Sequence, residues 1–150
     1  MESFSLETII QIVLVVILAG IIGYERERIH RPAGLRTHII VGIGALIFSL
    51  LSVKLFPDDP ARVISNIVTG IGFLGAGTIF REKDVVKGLT TAASLWATAA
   101  VGVALALGEY TLAIVSSLVI FLVLDAKSIP FLRNLFWSPE KERKKSVKKV

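Results

Sequence analysis

The sequence has 150 residues, is 53% hydrophobic, and carries a net charge of +5 with a mean hydropathy of +0.72. An ordinary soluble domain is about 45–50% apolar even with glycine counted, so the composition points to a membrane protein. The absence of cysteine excludes a disulfide framework and a thiolate metal site, and basic residues that flank apolar segments argue for membrane topology and against nucleic acid.

The first apolar segment, Leu6 to Tyr24, is interrupted only by Glu7, Thr8 and Gln11 near its start. No positive region precedes it and no A-x-A site follows, so it is expected to stay as a helix and not to be cleaved as a signal peptide. Further segments run from Thr37 to Phe56, Val63 to Phe80, Leu89 to Leu107 and Tyr110 to Leu124. Each comes near the roughly 17–25 residues that cross a bilayer, the fifth only by borrowing flanking residues. The expected fold is an all-α membrane protein, a bundle of about five transmembrane helices, with four as the alternative count.

Lys and Arg set the orientation. Arg26, Arg28, Arg31 and Arg36 follow the first segment, Arg81, Lys83 and Lys87 follow the third, and eight more lie between Lys127 and Lys149. Positive residues collect in the cytoplasm, so the N-terminus is expected outside and the C-terminus inside, which an odd number of spans satisfies. Residues 1–127 read as the transmembrane domain and 128–150 as a basic cytoplasmic tail. Phe131, Leu135, Phe136 and Trp137 of that tail are expected at the headgroup level.

The loop YERERIHRPAGLRTH admits two readings. Its arginines, with Glu25 and Glu27, form an interfacial anchor with internal ion pairs, or they hold an anion, a phosphate or a lipid headgroup. For the second reading, Pro32 and Gly34 fix a turn, Arg36 and His38 stand at the mouth of the second helix, and His30 can change charge near neutral pH. The third segment carries Asn66, Thr69 and Thr78 and the run Gly70-Ile-Gly72-Phe-Leu-Gly75-Ala-Gly77. That spacing imitates a dinucleotide fingerprint without its strand, helix and acidic residue. It suits close helix packing, with Gly72 and Ala76 as a small-xxx-small pair, or a break in the helix. In the fourth segment Ser94, Thr98, Gly102 and Ala106 form one stripe, expected to pack on the glycine-rich third helix.

Asp84, with Glu82, stands as a weak candidate for a divalent cation, the competing reading being ion pairs with Arg81, Lys83 or Lys87. No Asp or Glu lies at mid-depth, which argues against ion-coupled transport. With His only at positions 30 and 38 and no G-x-S-x-G or H-E-x-x-H motif, neither enzyme activity nor a cofactor is expected.

Three blocks, ERERIHRPAGLRTHIIVGIGA, DPARVISNIVTGIGFLGAGTIF and REKDVVKGLTTAASLWATAAVGVALALG, resemble the transmembrane domain of the MgtC/SapB family of bacterial inner-membrane proteins. The resemblance covers roughly residues 8 to 125. Its motif residues fall on Arg26, Arg28, Pro32, Gly34, Arg36 and His38, on Asp59, Pro60, Arg62, Gly70, Gly72, Gly75 and Gly77, and on Arg81, Gly88, Leu89, Thr91, Ala92, Ala93 and Trp96. It implies a multi-pass inner-membrane protein tied to magnesium homeostasis, acid stress and survival inside host cells. For the namesake branch it also implies a regulatory role through the membrane sector of the ATP synthase. Virulence-type members continue into a soluble ACT-like domain, so the chain is expected to be the transmembrane domain alone. Ala97 follows Leu95-Trp96 where the namesake branch has a cysteine. Two functions stay open: a regulatory module that forms a homodimer or a hetero-complex in the bilayer, and an oligomeric channel or transporter for magnesium or another small solute.

Overall fold

The computed structural model describes residues 5–126. In chain order it contains α1 (Leu6–Arg28), α2 (Leu35–Leu55), α3 (Ala61–Gly77), a hairpin of β1 (Phe80–Glu82) and β2 (Val85–Lys87), α4 (Leu89–Ala106) and α5 (Tyr110–Leu124). Local chemistry sets the helix ends. The Ser5 hydroxyl accepts the Thr8 N–H at 3.2 Å to start α1. The helix closes on His30, which takes φ 55 while the Arg31 and His30 amides return to the carbonyls of Arg26 and Glu27 at 2.9 Å. This is the left-handed termination that glycine usually supplies, as Gly108 does after α4 at φ 77. Gly34 has no side chain with which to cap α2, and Glu27 of α1 reaches over instead, its carboxylate accepting the Leu35 N–H at 2.8 Å.

The protein is an all-α membrane bundle apart from the hairpin. At 23, 21 and 18 residues, α1, α2 and α4 are long and apolar enough to cross a membrane. The other two apolar helices, α3 and α5, have 17 and 15 residues, or about 25 and 23 Å at 1.5 Å per residue, short of a hydrocarbon core of about 30 Å. The third segment ends three residues before the expected Phe80. There the Thr78 hydroxyl donates back to the Gly75 carbonyl at 2.8 Å and the chain passes into β1. The charged loop is therefore a hairpin, paired Phe80 to Lys87, Arg81 to Val86 and Glu82 to Val85, with Lys83 at φ 52 in its turn. The tail, 128–150, lies outside the described residues.

The core forms where α1, α2 and α4 meet, around Val15, Ala19, Ile22, Leu46, Leu95, Val101 and Leu105. Glycines bring these three helices together. A Cβ on Gly23 would stand 2.8 Å from Leu35 Cα, and one on Gly42 would stand 2.9 Å from Val15 Cγ2. One on Gly102 would overlap the Gly42 carbonyl oxygen. The Ser94–Thr98–Gly102 stripe thus packs against α2 and not, as expected, against α3. The Gly72–Ala76 pair meets no other helix within the described chain. No atom of another helix lies within 4 Å of a Cβ built at Gly70, Gly72 or Gly77, and Ala76 is exposed. The buried edge of α3 runs through Ile71 and Gly75, with Gly75 3.3 Å from Ala92 Cβ. Residues 72 and 76 lie 100° around the helix from that edge. The glycines do not interrupt α3, so the break is not seen. Its outer face, with Phe73 83% exposed, joins Phe48, Leu118 and Val123 in an apolar exterior suited to lipid.

Candidate functional site at the charged end of the bundle

The end of α1 and the starts of α2 and α4 meet at one end of the bundle, and the charged residues of the described chain that are buried collect there. Glu25 and Arg26 are each 2% exposed and His38 is fully buried. Arg26 pairs with Glu25 and donates from Nη2 to the Leu124 carbonyl at 3.2 Å, while Arg28 meets Asp125 at 2.5 Å. Two arginines of α1 therefore sit at the C-terminus of α5, where the helix dipole favours positive charge.

His38 joins α2 to α4. Its Nδ1 lies 2.9 Å from the Gly34 carbonyl and its Nε2 3.0 Å from the Ser94 hydroxyl. A carbonyl only accepts, so Nδ1 carries a proton, and in the neutral ring Nε2 accepts from Ser94. Ser94 also lies 2.8 Å from the Thr91 carbonyl. Its single hydroxyl proton serves one acceptor at a time, so protonating Nε2 turns the hydroxyl toward Thr91. Ser94 and His38 stand at the distance of a nucleophile and its base, but both are sealed from solvent.

The other candidates divide sharply. Arg31, Lys87 and Thr91 line one half-open cavity beside the cluster, whereas Arg36 is exposed outside it. On the hairpin, Glu82 pairs with Lys87, which holds its carboxyl below the ordinary range, and Asp84 stands 4.0 Å from Arg81. The two carboxylates proposed for a cation are thus engaged in ion pairs, and no group of three or more His, Asp or Glu with metal-binding placement occurs among the described residues. Asn66 is exposed on α3 over an apolar crevice between α2 and α3. Trp96 is 52% exposed, beside a second crevice between α3 and α4. Neither approaches the charged end.

Sequence reasoning missed three buried polar groups. Gln11 donates to the Leu105 carbonyl at 2.9 Å, Ser52 donates to the Pro60 carbonyl at 2.8 Å, and the Ser49 hydroxyl is buried without a partner among the described residues. Gln11 offered a signal, an amide within an apolar segment. Nothing in the pattern of α2 marks its serines.

The motif blocks around ERERIHRP and KGLTTAAS, about 60 residues apart in the chain, thus form one site. The sequence model of the MgtC family matches residues 12–129. The chain belongs to the MgtC family. Among MgtC-type relatives it is 45% identical over 112 residues to Protein MgtC of Salmonella typhimurium LT2, covering 75% of this chain and 48% of that protein. It is 49% identical over 108 residues to Protein MgtC of Brucella abortus, covering 71% and 45%. To the Escherichia coli K12 protein named "Putative magnesium transporter YhiD" it is 41% identical over 128 residues, covering 79% and 60%. The chain spans about half the length of the curated relatives it matches. No solved structure matches it.

Proposed function

We propose that this chain is a non-enzymatic, multi-pass module of the bacterial inner membrane that regulates by contact with other membrane proteins, in the service of magnesium homeostasis and low-magnesium or acid stress. The observation that carries this reading is the segregation of charge. Every buried ionisable side chain among the described residues lies at one end of the bundle. The hydroxyls of Thr98, Ser116 and Ser117 return to their own helix backbones at 2.8, 2.6 and 2.7 Å. A path for a hydrated cation needs polar or ionisable groups at mid-depth. The charged end faces the cytoplasm in this reading, in keeping with its arginines and lysines. The chain acts as a homodimer or in a hetero-complex, and the family resemblance offers the membrane sector of the ATP synthase as one such partner.

The name of the Escherichia coli relative favours a second reading, magnesium transport by an oligomer. Uptake into liposomes carrying the purified chain, followed with magnesium-sensitive and proton-sensitive dyes, separates the two. Regulation predicts flux equal to that of empty vesicles from protein whose helicity is intact. Flux that saturates with magnesium and falls in Asp84→Asn overturns it.

A further inference from the structure

Beside the buried cluster, the turn after α1, the hairpin and the first turn of α4 enclose a half-open cavity of about 490 Å³. Gly88 stands at the start of α4 with φ 90 and no side-chain cap. A Cβ there would overlap the Thr78 carbonyl oxygen, so the position requires glycine. The first amides of α4 consequently have no capping side chain, and the positive end of the helix dipole faces the cavity. A helix start alone does not make a site, and Thr91 supplies an independent sign. It lines the cavity at 1% exposure, and its hydroxyl has no partner among the described residues. The hydroxyls one and two turns on behave otherwise, Ser94 returning to the Thr91 carbonyl and Thr98 to that of Ser94. With its side chain almost wholly buried and no protein partner for its hydroxyl among the described residues, the surface left to Thr91 is the cavity that it lines.

The charge around Thr91 is positive. Arg31 has no carboxylate partner among the described residues, and His30 and Lys87 share the wall. Of the carboxylates nearby, Glu82 faces Lys87, Asp84 stands at the hairpin tip opposite Arg81, Glu27 receives the Leu35 amide, and Glu25 is buried against Arg26. We propose that this cavity binds a phosphate group, either of a phospholipid headgroup or of free inorganic phosphate. Arg31 and Lys87 supply the cations, and the α4 amides with the Thr91 hydroxyl supply the donors. Arginine with a helix start is a pairing that phosphate favours, because its oxygens accept from several directions at once. The cavity is larger than one phosphate, and Phe80 and Leu89, both half-exposed apolar residues on its wall, fit the glycerol portion of a lipid. The inference holds whether the module regulates or transports.

The test uses the full chain, purified in maltoside and stripped of lipid. Binding of phosphatidylglycerol, of diacylglycerol with the same acyl chains, and of inorganic phosphate against chloride at equal ionic strength is followed by native mass spectrometry and thermal stability. Retention of phosphatidylglycerol but not diacylglycerol identifies a lipid phosphate, and a response to inorganic phosphate identifies the free ion. Arg31→Gln and Thr91→Val each weaken binding about tenfold or more, and Arg36→Gln leaves it unchanged. If Thr91→Val does not fold, Arg31→Gln, altered at an exposed position, decides alone. No discrimination between phosphatidylglycerol and diacylglycerol together with no response to phosphate overturns the inference, as does Arg31→Gln that binds like the parent.

Discussion

Replacing Gly102 by alanine tests whether α2 and α4 are held by backbone contact. The added methyl would overlap the Gly42 carbonyl oxygen and lie 3.1 Å from both Ala45 Cβ and Leu46 N. Favourable contacts begin near 3.5 Å, so all three atoms are too close, and two of them belong to the α2 backbone, which cannot turn aside as a side chain can. Overpacking of this kind costs about 1–3 kcal/mol, and the gain from removing a helical glycine returns only about 0.5–1 kcal/mol. The net expectation is destabilisation by about 1 kcal/mol. Gly70→Ala is the control, because its methyl meets no atom of another helix within 4 Å and should stabilise by about 0.5–1 kcal/mol. Titration of the detergent-solubilised protein with dodecyl sulfate, followed by circular dichroism, measures both. A Gly102→Ala protein as stable as Gly70→Ala would refute the close crossing of α2 and α4.

Other perturbations bear on the charged end. Glu25→Gln leaves Arg26 buried without its counter-charge and should cost about 3–5 kcal/mol, whereas Arg28→Gln, altered at a half-exposed pair, should cost under about 1 kcal/mol in the same titration. His30→Gly should stabilise by about 1 kcal/mol, because glycine enters the left-handed region without the Cβ clash; a loss of stability would show that the imidazole makes a contact worth more than that strain. The carboxyl of Glu82 is lowered by Lys87, so the hairpin pair is formed above the ordinary carboxylate range and lost as pH falls through the lowered value. Carbon NMR of the Glu82 side chain should titrate below a free glutamate, and Lys87→Met should bring it back to the ordinary range.

The five helices were legible because long apolar segments declare themselves in the sequence, and α5 matches its expected bounds residue for residue. Packing partners were not legible. Ser94, Thr98 and Gly102 announced a packing stripe, but a stripe does not name the helix it meets, and the VGIGA run of α2 that holds its counterpart Gly42 competed with four glycines in α3. Those in α3 were the stronger signal, yet of them Gly75 alone packs within the chain, because composition counts small residues without knowing which side of a helix is covered. At the charged end, Arg26, His38 and Thr91 stood out by type and motif. Glu25 was visible only as one of two glutamates in an alternating run, and its burial follows from the turn at His30 and the close approach of α2 at Gly23. The hairpin escaped notice because Arg81 to Lys87 is charged at five of seven positions and its strands have three residues each.

The support of α3 by α4 also fixes an order of assembly. Once α1 and α2 have both entered the bilayer they can pair, since Gly23 and Gly42 already present their contacts to each other's helix. Next comes α3, yet the surface that receives Gly75 is Ala92, on a helix still to be synthesised. Until α4 arrives, α3 has only its shallow crevice with α2 and the surrounding lipid for company. A chain halted after the hairpin would therefore hold a joined first pair and an undocked third helix, and the arrival of α4 is the event that docks it.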